Sequence, residues 1–480
     1  MTGEQRPPDA VTPTRRAVLA AVGAGVASTG LTGAGRVRAQ TDTAASTPSS
    51  TADPPSTGWT RRYTADSAPA LFRTIVPAGD GYVLGGVTGG HDDLRGLAVR
   101  TDAQGRTRWR RTYGAVKSGV AAGAPHAEGG VVLAGATNLD DASPFTEAPP
   151  SADPWVLRVD EGGDVGWART LQPTAAAGQV DALVGVDDGY LVAGRRRERR
   201  GTPPRPWVAH LSPAGHRRWA ATLGREGAQG ALTAVAADGD SWYVGGSTSP
   251  ADDDSQPSGA DETALVARLD TDGTARWRRS LGGPGGSRLE CLHADASGVV
   301  AVGNRGFADD DDGRGWHLRL DAGGDRTWEQ THSRGPWNWL TGLAPADDAG
   351  EDGYLLVGTR ERPPEGDDPN GRRGAWVLRT GPAGEVRWAT TYFDGDWSHG
   401  ETVHSLDGGL LVAGSTGTDA GRAAWLLGIG DVPAADTASG VARHLESLAR
   451  AVPPTADDVG LGVLVGAGAV VLARRLRTVR

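Results

Sequence analysis

Three kinds of side chain are almost missing from this chain of 480 residues: it holds one cysteine (Cys291), one methionine and one lysine (Lys117). A single cysteine excludes an internal disulfide. Cys291 falls in a short strand-like segment, Arg288 to Ala294, where a small buried core residue is expected. No Gly-rich run leads into Lys117, which excludes a phosphate loop of the Walker kind. The ten histidines form no HExxH pair, and no GxSxG nucleophile elbow is present. Positive charge is also short. The net charge of −10 argues against DNA or RNA as a partner. Long uncharged runs are absent except at the two ends. What the chain does have is glycine, 73 residues of it, which points to many turns rather than many helices.

The cations are almost all arginine and the anions are largely aspartate. Surface Asp with nearly no Lys resembles proteins of halophilic archaea, in which acidic side chains keep the surface solvated in high salt. At the N-terminus, Arg15-Arg16 precedes an apolar Gly/Ala-rich run through Gly35, and Val37-Arg38-Ala39 offers a cleavage site. This is read as a twin-arginine (Tat) export signal over 1–39. Residues 40–57, rich in Thr, Ser and Pro, are read as a disordered linker. At the other end, Val459 to Ala473 is uncharged over 15 residues and is followed by Arg474, Arg475, Arg477 and Arg480. A bilayer span typically needs roughly 20 residues, but snorkelling arginines extend a shorter run. The segment 459–480 is therefore expected to be a C-terminal transmembrane helix with a cytoplasmic basic tail, a buried apolar helix being the alternative. Before it, 431–458 reads as a linker carrying a short amphipathic helix from Ala435 to Val452.

Between these ends the chain repeats itself. A six-residue apolar run ending in glycine occurs seven times: GYVLGG, GVVLAG, GYLVAG, SWYVGG, GVVAVG, GYLLVG and GLLVAG. A second marker, a tryptophan in phrases such as DTDGTARWRR, also occurs seven times, at Trp59, Trp109, Trp167, Trp219, Trp277, Trp328 and Trp388. Six of these follow a glycine by four residues, beginning with Gly105. That spacing implies a fixed hairpin with glycine at the positive-φ position. Each unit reads as four short strands a to d: a variable strand, the apolar run, a segment such as WVLRVD, and the tryptophan strand. Repeats of four strands imply an all-β fold, a seven-bladed β-propeller over 58–430. Trp59 precedes the first apolar run, and the last repeat lacks a tryptophan strand. Residues 58–64 should therefore supply strand d of blade seven, a strand-exchange closure. The marker tryptophans are expected to fill the wedges between blades.

The phrase resembles the tryptophan-docking repeat of quinoprotein-like (PQQ-like) propellers over roughly residues 58–430. Quinone-dependent members of that class usually have eight blades, and many carry a vicinal cysteine pair. Seven repeats and one cysteine depart from both, so no cofactor is expected. The non-catalytic members that bind protein partners are the closer analogy.

If strands alternate in direction, the d–a and b–c loops share one rim, and the b–c loops vary most in length. Variable loops on a rigid scaffold are where binding concentrates. Asp309, Asp310, Asp311 and Asp312 form an acidic run there, readable as a calcium loop or as a solvated, salt-adapted one. Arg195 to Arg200, RRRERR, is readable as pairing with acidic loops or with an anionic polymer. Three tryptophans fall outside the marker pattern: Trp337 and Trp339 in RGPWNWL, and Trp397 in DGDWSHG. With Asn338, Asp394, Asp396 and His399 they are expected to gather near the axis, either as a ligand-binding face or as a plug. Taken together, these features imply a non-catalytic cell-surface scaffold binding a protein, glycan or envelope partner. The alternative is an exported hydrolase, lyase or quinone-dependent oxidoreductase with an axial site.

Overall fold

In the computed structural model, the described residues are 53–432 without the loop segments 65–67, 91, 116, 139–151, 172–176, 200–201, 225–227, 251–260, 284, 309–312, 334–336, 347–351, 363–371 and 419–420, together with the backbone of three short strands. Seven four-stranded antiparallel sheets follow one another along the chain. Blade one is Ala70–Ala78, Gly81–Thr88, Arg95–Asp102 and Thr107–Tyr113. Blade two is Gly119–Pro125, Val131–Thr137, Asp153–Val159 and Val165–Thr170. Blade three is Gly178–Val186, Gly189–Arg196, Arg205–Leu211 and Arg217–Thr222. Blade four is Ala228–Asp238, Ser241–Pro250, Thr263–Leu269 and Ala275–Leu281. Blade five is Ser287–Asp295, Gly298–Arg305, Arg314–Asp321 and Arg326–His332. Blade six is Asn338–Pro345, Tyr354–Arg362, Arg372–Thr380 and Val386–Phe393. Blade seven takes Trp397–Leu406, Gly409–Thr418 and Gly421–Gly430 from the end of the repeat region, and Thr57–Tyr63 from its start. The a strands of successive blades touch all round, blade seven against blade one, so the ring is closed around them.

The closure follows the expected strand exchange. Thr57–Tyr63 pairs antiparallel with Gly421–Gly430, Trp59 opposite Gly428 and Tyr63 opposite Ala424. In a covalent c–d turn the last c-strand amide donates to the first d-strand carbonyl, as Asp102 N does to Arg106 O at 3.0 Å. Here Gly430 N donates to Ser56 O at 2.9 Å, so the N-terminal segment stands in for the missing turn. A further strand, Arg38–Thr41, pairs with Val386–Phe393 on the outer edge of blade six.

Each marker tryptophan docks on the next blade. A Cβ on the turn glycine of blade five, Gly324, would meet the Trp277 ring of blade four at 2.7 Å; on Gly163 of blade two it would meet Trp109 of blade one at 3.2 Å. Both glycines also have positive φ, 83° and 88°, so two independent constraints select glycine there. Indole Nε1 groups donate across the same junctions, Trp109 to Glu161 O at 2.8 Å, Trp219 to Thr271 O at 2.8 Å and Trp277 to Ala322 O at 2.9 Å. Four residues on, Tyr63 and Tyr113 donate to the turn carbonyls of Gly105 and Gly163 at 2.5 and 2.8 Å. Blade seven has no covalent turn, and Tyr392 of blade six donates to Pro55 O at 3.4 Å instead. The tryptophans thus fill the wedges as expected, and they also lock each blade to its neighbour's turn.

The apolar runs are strand b, buried on both faces; all eight residues of Gly81–Thr88 are buried. The fully buried Trp207, Trp316, Trp376 and Trp425 of strand c pack beside them. The second compact unit of the chain is Asp436–Arg480. Of it the structure describes only two four-residue strands, Val463–Gly466 and Ala469–Leu472, which pair as a hairpin where a helix was expected. Their Val-rich composition suits strands. Among the described residues no helix is long and apolar enough to cross a membrane. The twin-arginine motif and the helix expected from Ala435 to Val452 lie outside the described residues.

Candidate functional site

Two polar arrangements stand out, one on the axis and one on the rim shared by the d–a and b–c loops. The axial one grows out of the repeat. In every blade the a–b register slips by one residue at the same place, leaving a bulged residue in strand a. The seven bulged residues are Arg73, Ala121, Asp181, Thr233, Glu290, Thr341 and Glu401. The glycine that ends each apolar run lies opposite the bulge: a Cβ on Gly86 or Gly303 would collide with the carbonyl oxygen of Leu71 or Arg288 in strand a. Thus the glycine marker in strand b is what lets strand a bulge. The threonines tie the ring together, Thr233 Oγ1 donating to Leu289 O at 2.5 Å and Thr341 Oγ1 to Gly400 O at 2.9 Å.

The charged bulge residues feel one another. Protein packed around the channel pushes the Glu290 carboxyl up to about 7; Arg288 opposes this, while Glu262, Glu401 and Asp181 add to it. Burial raises Glu401 as well, against Arg73 and Arg422. Arg422 is lowered to about 10 by burial. Asp181 is held by Arg195 at 3.5 Å, and Glu262 binds Arg288 through two hydrogen bonds of 2.9 and 2.6 Å. The bulge ring therefore carries three carboxylates, Asp181, Glu290 and Glu401, and one guanidinium, Arg73. Sequence reading missed this ring because strand a was read only as variable. The available signal was a polar residue eight positions before the apolar run in five of the seven repeats, Arg73, Asp181, Thr233, Glu290 and Glu401.

The rim carries the three unpatterned tryptophans, all half-buried. They do not form one cluster. Trp337 and Trp339 stack at 5.7 Å with 13° between planes, and Phe307 of the blade-five b–c loop lies 5.5 Å from Trp339. Arginines cap this ladder: Arg288 sits 5.4 Å from the Phe307 ring, and Arg373 sits 5.6 Å from Trp337. Trp397 stands apart in blade seven, with Arg422 at 5.0 Å over it and the His399 ring at 5.2 Å. A link between the groups is Thr359, which pairs with Trp339 across the sheet and contacts His399 Nδ1 at 3.1 Å.

The polar residues expected beside them are less available. Asn338 is fully buried, its backbone N–H donating to Gly313 O at 3.0 Å. His399 is buried, and desolvation drives it down to about 3, so it is neutral at ordinary pH. Asp394 is 1% exposed and bonded to Arg62 of the closing strand, so it serves the closure rather than an open face. Only Asp396 is exposed. The run Asp309–Asp312 lies outside the described residues, and among the described residues no group of three or more His, Cys, Asp or Glu is placed to hold a metal. Cys291 is half-buried, its Sγ 3.8 Å from Leu343 O.

No family model and no curated protein matches the sequence. Solved structures similar to this chain include the WD40 domain of Toxoplasma gondii coronin, with 8% identity, 80% of this chain and 90% of that one covered, and a TM-score of 0.44. Another is the WD40 β-propeller domain of Doa1, with 11% identity, coverage of 78% and 97%, and a TM-score of 0.45. A third is the β-propeller domain of the Trilobed protease from Pyrococcus furiosus, with 11% identity, coverage of 78% and 100%, and a TM-score of 0.39. The propeller assignment rests on the strand pairing itself.

Proposed function

We propose that this propeller is a non-catalytic scaffold, exported by the twin-arginine route and held at the outer face of the membrane by its C-terminal segment, that grips a protein or glycan partner through the rim at blades five to seven. The observation that carries this reading is the ladder Arg288–Phe307–Trp339–Trp337–Arg373. Half-buried aromatic rings held rigid by their neighbours are the usual anchors of an interface, because little side-chain entropy remains to be lost on binding. The ion pairs at its two ends, Arg288 with Glu262 and Arg373 with Glu361, suit a partner with hydroxyl or other polar groups around an apolar centre. Its test is capture of a partner from solubilised membranes at native salt with the wild type and with Trp337→Ala: the variant should lose the partner while its melting temperature changes little.

A second reading, an axial enzyme, has one observation in its favour. Glu290 is a carboxyl tuned to about 7 in a channel that also holds Glu401, Arg422 and Arg73, the kind of pairing that acid–base catalysis requires. A hydrolytic or lyase activity abolished by Glu290→Gln would decide for it.

A further inference from the structure

The register of blade three places two arginines directly opposite each other, Arg196 at the end of strand b and Arg205 at the start of strand c. Like charges in facing positions of an antiparallel pair are destabilising. The same register sets Gly178 of strand a opposite Arg196, so the third strand offers no side chain to separate or neutralise them. Alternation turns these residues toward blade two, the face on which Val192, Trp207 and Ala209 pack with Val132 and Val156. Beside Arg196 lies a shallow cleft walled by Ala152, Ala177, Gly178, Gln179, Pro204 and the arginines Arg195 to Arg197, with no carboxylate among the described residues that line it.

The two guanidiniums are poorly served. Their Nε atoms are buried without an acceptor among the described residues. Arg205 reaches Glu198 with its Nη1 at 3.2 Å. Arg196 has neither hydrogen bond nor ion pair among the described residues. Neighbouring charges are spent elsewhere: Asp181 lies 3.5 Å from Arg195 and accepts from Gln179. A half-buried guanidinium without a partner among the described residues, facing another across the strand pair in a chain of net charge −10, is a costly arrangement unless something anionic enters it.

We propose that the blade-three strand pair where Arg196 faces Arg205, at the rim beside blade two, is an oxyanion site, in which a phosphate, sulfate or carboxylate group bridges the two guanidiniums. Planar guanidiniums present forked donors that match such groups and bind them more strongly than chloride. The site is separate from the aromatic ladder of blades five and six, and it stands whether or not that ladder binds a partner.

The test is calorimetric titration of the full chain with inorganic phosphate, sulfate and acetate in a constant high background of chloride. Wild type should bind at least one of the three saturably, at one site per chain, and the preference among them identifies the anionic group. Arg196→Gln should weaken that binding at least tenfold. Arg196→Lys should retain part of it, and Arg205→Gln should weaken it independently. Thermal melting without added oxyanion checks folding, and Arg196→Gln should melt no lower than wild type because it removes the repulsion. Absence of saturable binding in folded wild type, or equal binding by Arg196→Gln, would overturn the proposal.

Discussion

Arg62 and Asp394 join the two ends of the propeller: Arg62 Nε donates to Asp394 Oδ2 at 2.8 Å and its Nη2 to Oδ1 at 2.5 Å. Arg62 lies on the closing strand, and Asp394 lies where blade six passes into blade seven. The side chains are unequal, 33% exposed for arginine and 1% for aspartate. Removing either partner therefore has different consequences. Arg62→Ala strands a buried carboxylate and should cost about 3 kcal/mol or more. Asp394→Ala leaves an arginine that water can reach and should cost less, about 1–2 kcal/mol. Denaturant titration of both variants checks the order.

Loss of the whole strand should be worse. Deleting residues 58–64 leaves Gly421–Gly430 with an open edge and removes the Trp59 dock on Gly105, which should cost several kcal/mol. An unchanged melting temperature would contradict the closure.

The docking tryptophans separate packing from hydrogen bonding. Trp277→Phe keeps much of the ring on Gly324 but loses the bond to Ala322 O, at about 1 kcal/mol. Trp277→Ala loses both, at about 3 kcal/mol. Stability curves for the pair give the split directly.

Stability should be highest near neutral pH and fall in acid. Burial lowers His332 to about 4 and His399 to about 3, and puts His317 well below its usual value of 6.5. Below pH 6.5 the unfolded chain takes up protons that these native imidazoles refuse, so stability falls as pH drops from 6.5 towards 4 and 3. Glu290 acts in the opposite sense. Its native value near 7 lies above the ordinary 4.5, so stability is lost as pH rises from 4.5 through 7. Three imidazoles outweigh one carboxyl, so Glu290→Gln should steepen the net loss of stability between pH 7 and 4.5, which melting at a series of pH values would reveal.

Export and tethering are separable by location. Changing Arg15 and Arg16 to Lys should retain the protein inside the cell. Removing 459–480 should release it to the medium, and a tailless protein still in the membrane fraction would contradict the anchor.

The ring was legible because its determinants are local and repeated. The glycine four residues before six of the seven marker tryptophans reports a turn, and the surplus Trp59 strand reports the closure. The site was less legible because its contacts are not local. Asp394 in DGDWSHG looks like a surface carboxylate until Arg62, 332 residues away, is brought against it. Trp337, Trp339 and Trp397 are expected from the sequence to gather, yet the first two stack on each other in blade six and the third stands apart against Arg422 and His399 in blade seven. The axial ring comes from bulges, which shift register by one residue and leave no hydrophobic pattern.

The rim claim is tested most directly by quantitative capture from solubilised membranes at native salt, comparing wild type, Trp337→Ala and Thr271→Glu, the last on an exposed c–d turn of the opposite rim. One partner should be retained by wild type and Thr271→Glu, and its binding should be weakened by about 1–3 kcal/mol in Trp337→Ala at unchanged fold stability. Equal capture by all three proteins, or a Trp337→Ala protein that loses its fold before its partner, would contradict a binding face at the aromatic ladder.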